Sequence, residues 1–367
     1  MSNHETVLRD MGWEDGLLLA SCNNCGITLM QPADMMSQSC VHCGAVMLEE
    51  IDPEADRPPH LAPPELVLNL KKDRSRAESE LAAWVKKFYF PPADLDATKL
   101  NQRMRLVYVP AWLMDTTLET IWMADAGYNY DVVSSREKLR GSQWSTEQVT
   151  RTKKDWEGRA GNLTLRYDNL PADAIEDELH FWNMVQLRKS GDRFVKTAAP
   201  FTQREAEPAA FLLPSRIPAD AVNDMLPVLM ERAKADVQVA CRADQVRNFN
   251  WAPKIQEQNW TQMLIPVWST WYLDEDDRTR MVFLNGVTGH GWGEKIPSMK
   301  RTWRVGLYFL IAALALISVG ALAGLASGSW AAFGGLTVLA MLLMGMFMIA
   351  VLFVMYQKNK EDYFSRF

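Results

Sequence analysis

Four cysteines near the N-terminus stand in two pairs whose spacing is typical of a metal site. Cys22 and Cys25 form the first Cys-x-x-Cys pair, and Cys40 and Cys43 form the second, with fourteen residues between the pairs. Each pair can place two thiolates on one tight turn, and four thiolates close a tetrahedron around Zn²⁺. The pattern therefore predicts a zinc site with these four cysteines as ligands. Iron held by the same four sulfurs, as in rubredoxin, is the alternative.

A site of four cysteines keeps no open coordination position, so its role is predicted to be structural rather than catalytic. Gly26 and Gly44 directly follow the two pairs, where a glycine lets the backbone turn so that amides point at the sulfurs. His42 lies inside the second pair, and we expect its side chain on the surface, away from the metal. Residues 1–50 are predicted to form a zinc ribbon that folds with its metal. Its expected contact region for a partner is the segment 27–39.

The C-terminal part of the chain is strongly apolar. Residues 305–326 and 331–356 contain no charged side chain, and each run exceeds the roughly 20 residues that cross the hydrocarbon core of a bilayer. Residues 300–367 are therefore predicted to form a transmembrane hairpin of two helices with a short tail. Gly320 and Gly324 are four residues apart, which favours close packing between these helices. The absence of ionisable groups inside both spans argues against a transporter or proton channel.

Basic residues flank the predicted hairpin on both outer sides. Lys300, Arg301 and Arg304 precede the first span, Lys358 and Lys360 follow the second, and the turn between the spans is uncharged. The positive-inside rule therefore predicts a multi-pass protein of the bacterial cytoplasmic (inner) membrane, with both termini in the cytoplasm. Cysteines in Cys-x-x-Cys pairs suit such a reducing compartment. The first residues lack the apolar segment of a signal peptide, so we expect no cleaved leader.

The region between ribbon and hairpin predicts a linker and a folded body. Residues 51–66 are rich in proline and charge, which disfavours regular structure, and such a segment reaches on the order of 20–45 Å. Residues 67–299 are predicted to form a cytoplasmic α+β body. One helix is expected to end before Pro91, and a second begins near Pro218. Pro227 is expected to kink or interrupt this second helix, and Cys241 is predicted to be a buried structural thiol.

Two stretches of the body share a strand motif. The first, near residues 106–130, contains Val-Pro-Ala-Trp at 109–112, and the second, near 263–295, contains Ile-Pro-Val-Trp at 265–268. Both continue with alternating apolar and polar residues, which predicts strands. A proline in each strand implies an edge strand or a strand start. The Asn-Gly pair at 285–286 predicts a tight hairpin turn.

These segments together predict an α+β fold class. The expected architecture is an N-terminal zinc ribbon, a β-rich cytoplasmic body with two related Pro-x-Trp strand units, and a C-terminal two-helix transmembrane hairpin. The net charge of −6 and the isoelectric point near 5.5 come with no basic stretch of the kind that binds nucleic acid. The phosphate-loop, zincin and nucleophile-elbow motifs are missing. The glycine-rich stretch around His290 is interpreted as a turn. We therefore predict no catalytic residue and no cofactor other than zinc.

The order of the motifs resembles a known family. It runs from the two CxxCG pairs through the Pro-rich linker, AESELAAWVKKFYFPP, VYVPAWLMD, LIPVW and NGVTGHGWGEKIP to the apolar hairpin. This order is similar to that of bacterial membrane-anchored zinc-ribbon proteins, often labelled primosomal-helicase-like or TFIIB-type zinc-ribbon proteins. The stretch LAPPELVLNL departs from the family pattern, which has an apolar Pro-Phe pair there. A helicase activity does not follow, because nucleotide-binding motifs are missing.

The resemblance implies a role as well as ligands. It carries over Cys22, Cys25, Cys40 and Cys43 as the zinc ligands. Relatives occur beside SPFH-domain (flotillin-like) and phage-shock-type proteins, which implies a membrane platform that recruits cytoplasmic partners in membrane-stress or microdomain assemblies. The expected partners are the lipid bilayer and proteins of these types, a homo-oligomer is compatible with the sequence, and nucleic acid is not expected.

The leading hypothesis is thus a non-enzymatic membrane-anchored scaffold or adaptor. Its ribbon and β-rich body would recruit or organise proteins at the cytoplasmic face. The alternative is a zinc-ribbon protein that binds nucleic acid while tethered to the membrane, since ribbons often bind DNA or RNA. A third hypothesis, an enzyme that uses an unrecognised pocket in the body, lacks a pair of acid and base residues to support it.

Overall fold

The computed structural model describes residues 3–35, 39–54, 57–176, 195–203, 209–327 and 331–364. The helices in these ranges are α1 (Asn3–Asp10), α2 (Arg74–Lys86), α3 (Ala97–Arg103), α4 (Pro218–Ala240), α5 (Met299–Ser327) and α6 (Ala331–Phe364). The strands are β1 (Leu17–Cys22), β2 (Thr28–Pro32), β3 (Leu48–Glu50), β4 (Leu66–Leu68), β5 (Arg105–Arg140), β6 (Gln143–Asp173), β7 (Ala198–Pro200), β8 (Ala210–Leu212), β9 (Gln245–Leu273), β10 (Thr279–Asn285) and β11 (Gly291–Gly293). The chain is therefore a mixed α+β protein, as predicted.

The described strands belong to one large sheet. Its main path runs β11-β10-β9-β5-β8-β2-β1-β3, while β6 pairs with β5, and β4 pairs with both β7 and β9. The cysteine-bearing strands β1 to β3 join this path through β2, which pairs with β8 at Leu29–Leu212 and Met30–Phe211. The N-terminal segment thus continues the sheet of the body. The division of the chain into domains at residues 50 and 66 stays a prediction.

The two Pro-x-Trp motifs lie on neighbouring antiparallel strands of the same chain. Val109 of β5 stands directly opposite Ile265 of β9. The prediction that each proline marks an edge or a strand start is wrong, because Pro110 and Pro266 lie inside β5 and β9. On the side of β5 that faces away from β9, the paired strand changes from β8 to β6 at Pro110. On the side of β9 that faces away from β5, the paired strand changes from β4 to β10 at Pro266. A proline, which has no N–H to donate, is tolerated best at such a gap.

Alternate residues of β5 build two different cores. Leu106 and Tyr108 point into a cluster with Trp84 of α2, Leu100 of α3 and other buried side chains. Val107 points the opposite way, into a cluster that also contains cysteines of the N-terminal pairs. This alternation follows from the two-residue period of a strand. The centre of the sheet is therefore covered on one face by helices and on the other by the cysteine segment.

Beyond these cores, β5 and β6 form a long two-stranded arm. The last β9 partner of β5 is Gln245, which faces Gly127. Residues 128–155 then pair only with one another among the described residues, a length of about 40 Å at the usual rise per strand residue. Leu139 and Trp144 face each other close to the turn and are 54% and 69% exposed. The arm therefore ends in an apolar pair that stays exposed among the described residues.

Helix α4 covers the sheet at the base of the arm. Its buried residues, Met225, Leu229 and Val237 among them, pack on β5, β6 and β9. The helix runs without interruption past Pro227, so the expected break is not present, while the kink stays a prediction. Cys241 is fully buried at the C-terminal end of this helix, which confirms the prediction of a buried thiol.

Helices α5 and α6 are long and apolar enough to cross a membrane. The apolar stretches are Met299–Ala326 and Phe333–Tyr356. In the most apolar 18 residues of each, only 17% and 12% are buried, which argues against core helices of a soluble protein. Gly320 packs closely against Phe333 and Leu336 of α6, as expected for small residues between the two helices. The coarser prediction of two apolar C-terminal helices is thus confirmed.

The turn between β9 and β10 is bonded to the start of α5. Glu275 in this turn accepts hydrogen bonds from the amides of Met299 and Lys300, both at 2.9 Å, and from the hydroxyl of Ser298. A carboxylate at this place satisfies free N–H groups and complements the positive end of the helix dipole. The β9–β10 hairpin and the first apolar helix are therefore directly linked.

The turn between β10 and β11 is longer than the sequence predicts. Five residues, 286–290, separate the strands, so the expected tight two-residue turn at Asn-Gly is wrong. Asn285 instead accepts hydrogen bonds from the amides of Val287 and Thr288, both at 2.9 Å, through its side-chain oxygen. This asparagine builds a wider loop because its side chain replaces a backbone carbonyl as acceptor.

Asp94, in the segment between α2 and α3, joins α3 to the end of β9. Its carboxylate accepts two hydrogen bonds from Arg103, at 2.5 and 3.1 Å, one from Lys99 at 3.0 Å and one from the amide of Leu273 at 2.9 Å. The Arg103 guanidinium also stacks 4.1 Å from the ring centre of Trp271. These bonds, Arg103 foremost, hold the pKa of Asp94 well below its ordinary value of 3.8.

This pKa predicts an acid-sensitive contribution to stability. A carboxyl with a depressed folded-state pKa stabilises the fold above its unfolded pKa, and this stabilisation is lost as the pH falls below about 4. We expect Asp94→Asn to lower the melting temperature at pH 7, with a difference from wild type that shrinks between about pH 5 and pH 3. Thermal unfolding of both proteins at each pH tests this. Any loss of metal from the cysteines at low pH affects both proteins alike and cancels in the difference between them. A difference that does not change with pH would contradict it.

Candidate metal centre

Each cysteine pair lies on a turn that closes on itself. In the first turn the amide of Gly26 donates to the carbonyl of Cys22 at 2.8 Å, and in the second the amide of Gly44 donates to that of Cys40 at 2.9 Å. Gly26 and Gly44 have φ angles of 71° and 75°, a left-handed conformation that glycine adopts at no steric cost. The prediction that these glycines let the backbone turn is thereby confirmed.

The two turns bring the four predicted ligands together. The sulfur atoms of Cys22 and Cys43 are 3.7 Å apart, those of Cys25 and Cys40 are 4.0 Å apart, and all four lie within 4.8 Å of one another. A tetrahedron with metal–sulfur bonds of about 2.3 Å has edges of about 3.8 Å. The sulfurs are too far apart for disulfides, whose bond is about 2.05 Å. The arrangement therefore fits one tetrahedral metal ion.

Hydrogen bonds among the thiols spread their pKa values apart. Bonds with Cys40 and Cys43 raise the pKa of Cys25 far above its ordinary range. The bond with Cys25 lowers the pKa of Cys40, but the bond with Cys43 and burial outweigh it and raise this pKa to about 12. Bonds with Cys25 and Cys40 hold the pKa of Cys43 far below its ordinary value. Further sulfurs of such a cluster ionise only when a cation balances their charge.

Backbone and side-chain N–H groups point at the sulfurs. The side-chain amide of Asn24 lies 3.5 Å from the sulfur of Cys43, and the backbone amide of His42 lies 3.4 Å from that of Cys40. Such donors support metal-bound thiolates. The sequence predicts the backbone donors through the glycines, but it gives no signal for Asn24. The expected surface position of His42 is wrong, because this residue is only 8% exposed beneath the second turn.

The second turn packs on the β9–β10 hairpin. The carbonyl of Val41 accepts a hydrogen bond from the hydroxyl of Ser269, and the indole N–H of Trp271 donates to the hydroxyl of Ser39 at 3.3 Å. Cys22 and Cys40 are buried in the same cluster as side chains of β5, β9 and β10. These partners lie about 230 residues away in the sequence, so local motifs give no signal for them.

The expected contact region between residues 27 and 39 is buried along strand β2, and residues 36–38 lie outside the described residues. Ile27, Leu29 and Met30 are buried, because β2 lies between β1 and β8 in the sheet. This expectation is therefore wrong for the strand.

The Pro-rich segment also packs on the body. Its described residues 51–54 and 57–65 contain no helix or strand, as predicted. However, the carbonyl of Leu61 accepts a 2.7 Å hydrogen bond from the indole of Trp13, and the carboxylate of Glu65 accepts one of 2.7 Å from the amide of Gln262. Leu61 is itself buried. The reach of 20–45 Å expected for a free linker does not describe this packed arrangement.

Gly26 and Gly44 offer a matched test of this packing. A Cβ at Gly44 would lie 2.6 Å from Thr279 and 3.2 Å from Trp271, whereas one at Gly26 would meet no atom within 4 Å. Alanine at either site carries the left-handed penalty of about 1–2 kcal/mol. Gly44→Ala adds an overpacking cost of about 1–3 kcal/mol.

We therefore expect Gly44→Ala to unfold at a clearly lower temperature than Gly26→Ala. Thermal unfolding with excess Zn²⁺ measures this difference, and metal content confirms that both variants are loaded. Equal melting temperatures would show that the second turn does not pack on Thr279 and Trp271.

A scan against protein-family models finds no match, and neither do searches of curated proteins and of solved structures. The family resemblance drawn from the motif order therefore stays a prediction. The metal centre rests on its own geometry: four sulfurs in tetrahedral reach, with N–H donors beside them. Four cysteines close the coordination shell, so such a centre holds structure together and leaves no position for a substrate.

Proposed function

We propose that this protein is a non-enzymatic membrane-anchored scaffold that recruits protein partners through its two-stranded arm. In this proposal α5 and α6 cross the cytoplasmic membrane as a hairpin with both chain ends in the cytoplasm, following the basic flanks. The bound metal is Zn²⁺, because four thiolates in a closed tetrahedral shell suit this ion. The role of the metal is to fix the N-terminal segment on the sheet.

The arm of residues 128–155 is the observation that carries the proposal. A two-stranded hairpin is at best marginally stable alone in water, and this one exposes an apolar pair, Leu139 and Trp144, at its end. Val133 lies on the same face and is 62% exposed. Exposed apolar groups on an extended element are typical of contact surfaces. Six basic and four acidic residues along the arm discourage unspecific edge pairing.

The cytoplasmic partners would be proteins, and the resemblance points to SPFH-type or phage-shock-type proteins or to further copies of the chain. Nucleic-acid binding is kept as the alternative: the arm places Arg136, Lys138, Arg151 and Lys153 on one face beside Glu147 and Asp155, but the chain as a whole is acidic, with a net charge of −6. The experiment below distinguishes the two alternatives, because bound nucleic acid would co-purify with the protein just as partner proteins would.

The test is a pull-down of the full-length protein in mild detergent. The variant Leu139→Ser with Trp144→Ser removes the apolar end of the arm without touching any core. We expect proteins that co-purify with wild type to be lost from this variant. A shortened arm, lacking residues 130–139 and 144–153, keeps the register and the face of every remaining residue and should lose them as well.

The matched control is Ile121→Ser with Met123→Ser. These residues are 69% and 57% exposed on the same strand, but they lie at the base of the arm, where β9 is paired. We expect this control to retain the partners. An unchanged set of co-purifying proteins in both arm variants would refute the scaffold role of the arm. Nuclease-sensitive material in their place would favour the nucleic-acid alternative.

A further inference from the structure

A cavity lies where the body meets the end of α6. It has a volume of about 220 Å³ and is lined by Phe88, Tyr89, Pro297, Phe353 and Val354, together with two lysines. The rings of Tyr89 and Phe353 meet edge to face at 6.4 Å. Phe353 and Val354 belong to the last turn of the apolar stretch of α6. If α6 spans a membrane, this apolar cavity lies at the level of the lipid headgroups.

A polar groove adjoins this cavity. Its volume is about 690 Å³, and its walls come from α2 and from the glycine-rich loop between β10 and β11, with His290, Thr288 and the indoles of Trp84 and Trp292. Gly289 of this loop and Gly291 and Gly293 of β11 also line the groove. One side of the site is thus polar and the other apolar, which is the division that an amphiphilic ligand has.

Lys87 and Lys295 line both the cavity and the groove. Lys295 lies 5.4 Å from the ring centre of Trp84. Among the described residues no carboxylate forms an ion pair with either lysine. Glu80, which lines the groove itself, is paired with Lys72, and Glu294 is paired with Arg280. The boundary between the apolar and polar halves therefore carries two ammonium groups without an anionic partner in the described chain.

We propose that this site binds the headgroup of an anionic phospholipid. The phosphate lies between Lys87 and Lys295, the polar part of the headgroup occupies the groove, and the first part of an acyl chain runs along Phe353 and Val354. Basic pockets beside membrane helices on the cytoplasmic side bind anionic headgroups in this way. Charge complementarity and the apolar wall together select a lipid over a soluble anion. The proposal rests on the membrane embedding of α5 and α6 in the proposed function.

The experiment is a lipid titration of the full chain in mild detergent, followed by native mass spectrometry. Phosphatidylglycerol and phosphatidylcholine with the same acyl chains are compared. We expect phosphatidylglycerol to bind more tightly. The variant Lys87→Gln with Lys295→Gln should weaken this binding about tenfold, equal to about 1.4 kcal/mol, and should leave phosphatidylcholine binding unchanged.

The matched control is Lys86→Gln with Lys300→Gln. It removes the same charge from exposed positions next to the site that do not line it, and we expect wild-type binding. An equal loss in the control would show unspecific surface attraction and overturn the proposal. Equal affinity for the two lipids would overturn it too. Displacement of phosphatidylglycerol by millimolar inorganic phosphate would identify a site for free anions instead.

A measurement on the wild type alone covers the case in which a variant does not fold. The lipids that co-purify with the protein should be richer in anionic species than the membrane extract from which it came, and an unenriched mixture would overturn the proposal. Carbonate extraction of membranes distinguishes the two proposals: release of the protein would refute membrane embedding, whereas retention without lipid selectivity refutes only the lipid site.

Discussion

Replacing Cys22 and Cys40 by serine will unfold much of the β-rich body, not the N-terminal segment alone. Both residues are fully buried in a cluster shared with Val107, Val267 and Phe283 of three central strands. Binding of structural zinc contributes about 10–16 kcal/mol in small zinc modules, as much as the whole stability of an ordinary domain, about 5–15 kcal/mol. Loss of the metal therefore removes the stabilisation on which one face of the sheet depends.

The expected measurement is a melting temperature at least about 10 °C lower, together with the loss of bound metal, since each kcal/mol moves the melting temperature of a large domain by about 2–4 °C. Chelation of the wild-type protein should give the same result. The control is Cys241→Ser, the same change at a fully buried cysteine in another cluster, which should keep its metal. A body that melts unchanged after metal removal would show that the N-terminal segment folds independently.

Replacing Arg280 by methionine should give the second large effect. Its guanidinium donates to Asp274 at 2.9 Å and to Glu294, and the side chains of Arg280 and Asp274 are only 10% and 2% exposed. Burial lowers the pKa of Arg280, but the two carboxylates outweigh it and raise this pKa. Removing one partner of a buried ion pair costs about 3–5 kcal/mol, because the other charge stays buried without compensation.

Thermal unfolding at pH 7 with excess Zn²⁺ measures this loss. Arg278→Met removes an exposed arginine from the same hairpin and should cost little. Adding Asp274→Asn to Arg280→Met should recover part of the stability, since the uncompensated charge is then gone, while the amide oxygen still accepts the backbone N–H groups of Asp276 and Arg278. A double variant less stable than Arg280→Met would contradict this explanation.

Local patterns were sufficient for the elements and the metal ligands. The Cys-x-x-Cys-Gly pairs predict the turns because the glycines and sulfurs that form each turn lie within a few residues. The helix from Pro218 and the apolar helices follow from composition and periodicity in the same way. By contrast, His42 is buried in a turn that packs on the β9–β10 hairpin, and the ladder gaps at Pro110 and Pro266 depend on which strands lie outside them. These features depend on residues outside the local sequence, which only the fold brings next to them.

The arm shows a different limit of sequence interpretation. The alternating residues near 106–130 predict a strand, but the same alternation suits a strand inside a sheet. Only the start of β9 at Gln245 shows that β5 and β6 continue beyond it without a third strand among the described residues. Likewise, Lys87 and Lys295 are over two hundred residues apart, and the fold alone brings them to one site.

The bond between Glu275 and the start of α5 has a mechanical consequence. A partner that pulls on the arm would apply tension along β5, and the antiparallel ladder to β9 would carry it in shear, with many hydrogen bonds loaded at once. At the end of β9 the load would pass through Glu275 to the first turn of α5. Little slack chain lies on this route. If α5 and α6 cross a membrane as proposed, this stiff route would convert a pull on the arm into a tilt of the two helices.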